Sequence, residues 1–99
     1  MQVFAVQSKI KAENVADVDA AVGRMFAAIE REQPGGIRYA SLRLPDGVTY
    51  VAVLEVDDGV TNPLPALPEF REFQDNLKAW VAEPPIPGQW AVIGSYRLF

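Results

Sequence analysis

VTYVAVLEV, Val48 to Val56, is apolar at nearly every position, and this decides how the chain folds. A strand with one wet face alternates apolar with polar residues, whereas a run without alternation is covered on both sides. The rest of the chain supplies two amphipathic helices, enough for one face of a small sheet. A second copy of the chain is the simplest cover for the other face. The stretch therefore predicts an architecture and a homodimer together.

Immediately upstream lies IRYASLRL, Ile37 to Leu44, a second strand, joined to the first by Pro45-Asp46-Gly47. Proline presets the first position of a type I turn, and glycine takes the left-handed one. Such a turn with a glycine bulge pairs Leu44 with Val48. Leu42 then faces Tyr50, Ala40 faces Ala52 and Arg38 faces Leu54. A two-residue Asp-Gly turn would flip this assignment for one strand; the proline favours the first reading. One face of the hairpin meets the helices and the other the partner chain, but register alone does not say which.

Further upstream, QVFAVQSK (residues 2–9) is a short strand. Asn14 can cap the helix that follows, its side-chain oxygen taking free N–H groups of the first turn. Asp17 and Asp19 favour that end of the helix dipole. Val15, Val18, Val22, Met25, Phe26 and Ile29 give one apolar stripe, and Pro34-Gly35-Gly36 stops it, predicting a helix over about 13–33. Downstream, Asp57 to Pro68 reads as a proline-rich loop without a regular element, in which Asn62 is a natural Asn-Pro turn former. Pro68 suits the first position of a second helix, with Phe70, Phe73, Leu77, Trp80 and Val81 on one side, ending before Pro84-Pro85. Gln89 to Phe99 is the last strand. The order strand, helix, strand, strand, helix, strand is the α+β ferredoxin-like βαββαβ sandwich: a four-stranded antiparallel sheet with two helices on one face. Residues 1–99 are expected to form one such domain.

Composition excludes more chemistry than the motifs suggest. The chain has no histidine and no cysteine. Disulfides, thiolate nucleophiles, the common zinc sites, Ser-His-Asp chemistry and a proximal haem histidine are therefore absent. The acids show no calcium-loop or carboxylate metal spacing, so no metal site is expected. Net charge is −4 with nine scattered basic residues, which argues against nucleic acid or an anionic membrane as a partner. No apolar run reaches the ~18 residues of a membrane span, and no signal peptide is seen, so a cytoplasmic location is expected.

The element order, the length and the second-helix segment LPEFREFQDNLKAW resemble the dimeric α/β-barrel superfamily, within it the antibiotic-biosynthesis-monooxygenase type. The resemblance spans nearly the whole chain, and its nearest motif is Pro68-Glu69-Phe70-Arg71-Glu72-Phe73. It implies two sheets packed face to face across a dimer, with a small cavity between each sheet and its helices. Members include cofactor-independent oxygenases of phenolic or quinol substrates and haem-degrading enzymes that hold iron through a histidine. Lacking histidine, this chain is not expected to degrade haem. The resemblance implies no cofactor and a small aromatic or polyketide-like ligand.

Arg38, Tyr50, Trp80, Trp90, Tyr96 and Arg97 are the candidates to line or guard that cavity; no catalytic residue is assigned. An arginine can bind a phenolate or carboxylate, a tyrosine can donate to a carbonyl, and a tryptophan can stack on a planar ring. Each also has a plainer role. Trp80 continues the stripe of Phe73 and Leu77, and Trp90 and Tyr96 can fill the dimer barrel. Arg43 and Arg97 can simply meet acids. Glu55, inside the apolar strand, is expected to form an ion pair, with Arg97 or a partner residue. The reading is a cofactor-free monooxygenase-like protein, with a non-catalytic dimeric ligand-binding or structural module as the alternative.

Overall fold

The computed structural model describes residues 1–98. Its elements are β1 (Gln2–Lys9), α1 (Val15–Glu32), β2 (Ile37–Arg43), β3 (Thr49–Val56), α2 (Pro68–Trp80) and β4 (Ile86–Trp90). The strands form one antiparallel sheet in the order β2-β3-β1-β4. This is the α+β ferredoxin-like arrangement, with β3 and β1 at the centre. No helix among the described residues is long and apolar enough to cross a membrane.

The hairpin register differs by one residue from the predicted one. Leu44 pairs with Thr49, its N–H donating to the Thr49 carbonyl at 2.8 Å, so four residues, Pro45 to Val48, make the loop. Asp46 is the cause. One carboxylate oxygen accepts the N–H groups of Val48 (3.0 Å) and Thr49 (2.8 Å), and the other accepts the Thr49 hydroxyl at 2.5 Å. These bonds hold the Asp46 carboxyl below the usual carboxylate range, the Thr49 hydroxyl first among them. Val48 is thereby drawn into the loop, where its carbonyl accepts the Ile10 N–H at 2.8 Å. Tyr39 now faces Leu54, Ser41 faces Ala52 and Arg43 faces Tyr50, while Arg38 faces Glu55.

Packing settles which face is which. Tyr50 sits in an apolar cluster with Ile10 and Val18, joined by Val22, Phe73, Leu77 and Trp80. Leu54 and Val56 sit in a second with Leu64, joined by Ile29, Tyr39 and Phe70. Tyr50, Ala52 and Leu54 therefore look toward the helices, with Tyr39 and Ser41 beside them. Val51, Val53 and Glu55 look away, with Arg38, Ala40 and Leu42. β3 thus carries apolar residues on both sides, and the helices cover one of them.

The helices seat differently. α1 buries Val18, Ala21, Met25 and Ala28, so the stripe runs through two alanines that allow close approach. Asn14 does not cap it as predicted: a 3₁₀ turn at Ala12–Asn14 brings Asn14 to φ −108°, ψ 5°, and its amide donates to Asp17 instead (2.9 Å). The left-handed position at the other end falls on Gln33, ahead of Pro34. Gly36 is needed for a different reason. Its φ is +79°, and a Cβ there would lie 2.7 Å from a Val60 methyl. α2 has no fully buried residue. Its C-terminal end is tied instead: the Trp80 carbonyl accepts the Lys11 N–H, and the Ala82 N–H donates to the Lys9 carbonyl.

Two boundaries depart from expectation. The loop from Asp57 to Pro68 does contain one 3₁₀ turn, Leu64–Ala66, begun by Asn62, whose Oδ1 accepts the Leu64 N–H at 3.0 Å. The last strand lies at Ile86–Trp90, earlier than predicted. Trp90 pairs with Val3, close to the first residue of β1 at Gln2, so the ladder runs out of partners there. Proline is tolerated in this strand because it is an edge. Ala91 to Leu98 leave the sheet, and Phe99 lies outside the described residues.

Candidate functional site

Between the sheet and the helices lies a cavity of about 710 Å³. That is the size of a site for a drug-sized molecule, which spans roughly 300–1,000 Å³. Its floor follows from the register. The row Pro87–Val6–Ala52–Ser41 crosses all four strands, and two of its members, Ala52 and Ser41, are small. The neighbouring rows carry Tyr50 on one side and Phe4, Leu54 and Tyr39 on the other, all larger. A strip of small residues between rows of large ones leaves space that the helices do not fill. Val18 and Val22 of α1 close one side, and Phe70, Phe73, Gln74 and Leu77 of α2 form the roof. The exposed members of the lining, Phe4, Gln74, Pro85 and Pro87, mark the mouth.

The walls are chiefly apolar and aromatic. Polar character comes from Ser8, Ser41, Asn62, Gln74, Tyr39 and Tyr50, and among the described residues no charged side chain lines the cavity. Tyr39 stacks on Phe26 at 5.3 Å between ring centroids. Burial pushes its phenol pKa up to about 12, so it stays a neutral hydrogen-bonding group. Tyr50 donates to Asp19 at 2.6 Å, and Arg43 donates to the other oxygen of the same carboxylate at 2.7 Å. Burial, and then the Asp19 carboxylate, raises the Tyr50 pKa as well. Asn62 spends its side-chain oxygen on Leu64, which leaves its amide N–H groups to offer a ligand.

Of the six residues singled out in the sequence, the structure places Tyr50 on the cavity wall and does not gather the others there. Arg38 is on the helix-free face, donating to Glu55 at 2.8 Å. Glu55 thus has the expected ion pair, with Arg38 in place of Arg97. It is only 2% exposed, and its second oxygen has no partner among the described residues. Trp80 packs against the Ile10, Val18 and Tyr50 cluster. Trp90 pairs with Val3 on the helix-free side and is half exposed. Tyr96 and Arg97 follow the end of β4, stacked on each other with the guanidinium 5.1 Å from the ring. Arg43 meets Asp19 of α1, an acid as anticipated. Sequence reasoning passed over Tyr39, Ser41, Ala52 and Gln74. The alternation of small with large residues in β2 and β3 was a signal for three of them, but it requires the correct register.

Among the described residues, no group of three or more acidic, histidine or cysteine side chains is placed to hold a metal ion. No family model matches the chain, and no curated protein does. Solved structures do. An antibiotic biosynthesis monooxygenase superposes with a TM-score of 0.76 at 14% identity, over 95% of this chain and 100% of the other. The chain has the fold of these monooxygenase-like proteins. SnoaB from Streptomyces nogalater, a cofactor-independent oxygenase, superposes with a TM-score of 0.70 at 22% identity, over 97% of this chain and 96% of its own, for a structure of a mutant. A protein of unknown function from Nitrosomonas europaea reaches 0.72 at 11% identity, over 96% and 91%. At such identities the likeness speaks for the fold, which serves more than one purpose.

Proposed function

We propose that this chain is a cofactor-independent monooxygenase-like protein that takes a small aromatic or polyketide-like ligand into the cavity. One observation carries the reading: about 710 Å³ of space walled by Phe4, Tyr39, Phe70 and Phe73. Flat apolar walls suit a planar ring system, and a few neutral polar groups suffice to orient its oxygens. The SnoaB likeness supports oxygenation as the reaction. An anthrone would lose two hydrogens from its ring methylene and gain a carbonyl oxygen, with O₂ consumed and water released. Oxygen uptake with anthrone, measured against an Ala52→Phe variant that fills the floor, tests this. Uptake by the native chain and none by the variant is expected; uptake no faster than in buffer overturns the enzymatic reading.

A second reading, a ligand-binding module without catalysis, draws on a wall that holds no charged side chain among the described residues. Nothing there stands ready as a base near neutral pH. Anthrone binding without oxygen uptake would favour it.

In either reading residues 1–99 act as one domain, and two copies associate through the helix-free face. Support for the homodimer is the row of exposed apolar groups there: Leu42, Ile86 and Trp90 are half exposed or more, beside Val51 and Val53. Exposed apolar patches of this kind mark association surfaces. A light-scattering mass of a monomer at micromolar concentration would contradict it.

A further inference from the structure

We infer that the cavity admits only uncharged ligands: planar aromatics bearing hydroxyl or carbonyl oxygens, with any carboxylate absent or esterified. The inference rests on the ligand-binding reading above and narrows its substrate class. None of the nine lysine and arginine side chains reaches the wall. Two on β2, next to the wall residue Tyr39 and opposite the wall residue Tyr50, are already committed. Arg43 is held by Asp19 beyond the Tyr50 hydroxyl, and Arg38 is on the opposite face with Glu55. A carboxylate placed between Leu54, Phe70, Phe73 and Leu77 would lose its water and find no cation, which is strongly unfavourable. A neutral hydroxyl or carbonyl meets no such penalty, because Tyr39, Ser41 and the Asn62 amide offer hydrogen bonds. The wall thus discriminates by charge: its polar groups serve neutral oxygens and none compensates an anion.

The test is calorimetric titration of the intact chain with naphthol, hydroxynaphthoic acid and the methyl ester of that acid at neutral pH. Naphthol and the ester should bind, and the acid should bind at least about a hundredfold more weakly. Equal binding of acid and ester overturns the inference and leaves the cavity reading standing. No binding by any of the three overturns the cavity reading and this inference with it. Gln74→Lys supplies the converse, because Gln74 is exposed on α2 at the mouth and a lysine there does not disturb the core. That variant should shift the ratio of acid to ester affinity about tenfold toward the acid. No shift in that ratio, with the ester still binding, would count against charge as the discriminator.

Discussion

α1 and α2 look alike in sequence and behave differently in the fold. Both carry an apolar stripe, yet α1 buries four side chains completely and α2 none. Ala21 and Ala28 allow α1 to settle, whereas α2 presents the rings of Phe70 and Phe73 and is secured at its ends. Arg71 donates to the Pro65 carbonyl, Glu69 pairs with Arg31, and the far end is stitched to the end of β1. A helix held at its ends over small floor residues makes a roof. The lesson is that the cavity arises from how one helix is suspended, and hydrophobicity alone does not reveal it.

The contrast is open to attack by mutation, and the largest effect should come from the seated helix. Met25, 1% exposed, has no space to relax into, so Met25→Ala should cost about 2–5 kcal/mol in denaturant unfolding. Phe73→Ala removes a larger side chain but faces the cavity, and should cost less; the reverse order would break the comparison. Next comes the exit from α1. Gly36→Ala combines a positive φ with a clash against Val60 and should lose about 1–3 kcal/mol. Adding Val60→Ala should recover only the steric part.

Under the roof, Ala52→Leu should leave stability within about 1.5 kcal/mol of the parent, because the added methyls enter existing space. A larger loss would mean the floor is already packed. Tyr39 supplies a pH test. Its folded pKa of about 12 lies above the ordinary value of 10.0, so the folded state keeps a proton that the unfolded state releases. Stability should be level below pH 10 on this account and fall between pH 10 and about 12, a slope that Tyr39→Phe should reduce. The smallest effect should be at Asp46, whose folded pKa is depressed. Its contribution is present above the ordinary carboxylate range and should fade on acidification through the folded value; Asp46→Asn should flatten that acid limb in unfolding measured against pH.

Much of the fold was legible. The period of Val15 to Ile29 and of Phe70 to Leu77, and the proline and glycine breaks, located both helices. The unalternating run at β3 predicted a strand with apolar residues on both faces, and the strand has them. These signals are local, and tertiary contacts reinforce them. The hairpin register was not legible, because it turned on whether Asp46 would capture the N–H groups of Val48 and Thr49 in place of a glycine bulge. The end of β4 depended on where its partner β1 begins. The arginines were misleading for the site, since Arg38 changed faces with the one-residue slip.

The sequence by itself determined the order of elements, the α+β class and the exclusion of histidine and thiol chemistry, because residue identity and short-range periodicity suffice for these. Tertiary structure alone decided which face of Val48–Val56 meets the helices, where the space is left and that its wall, among the described residues, carries no charged side chain. Those properties depend on pairing between distant strands and on how closely each helix can approach the sheet. A single carboxylate in a turn shifted the register, and with it the β2 residues, Tyr39 and Ser41, that line the floor.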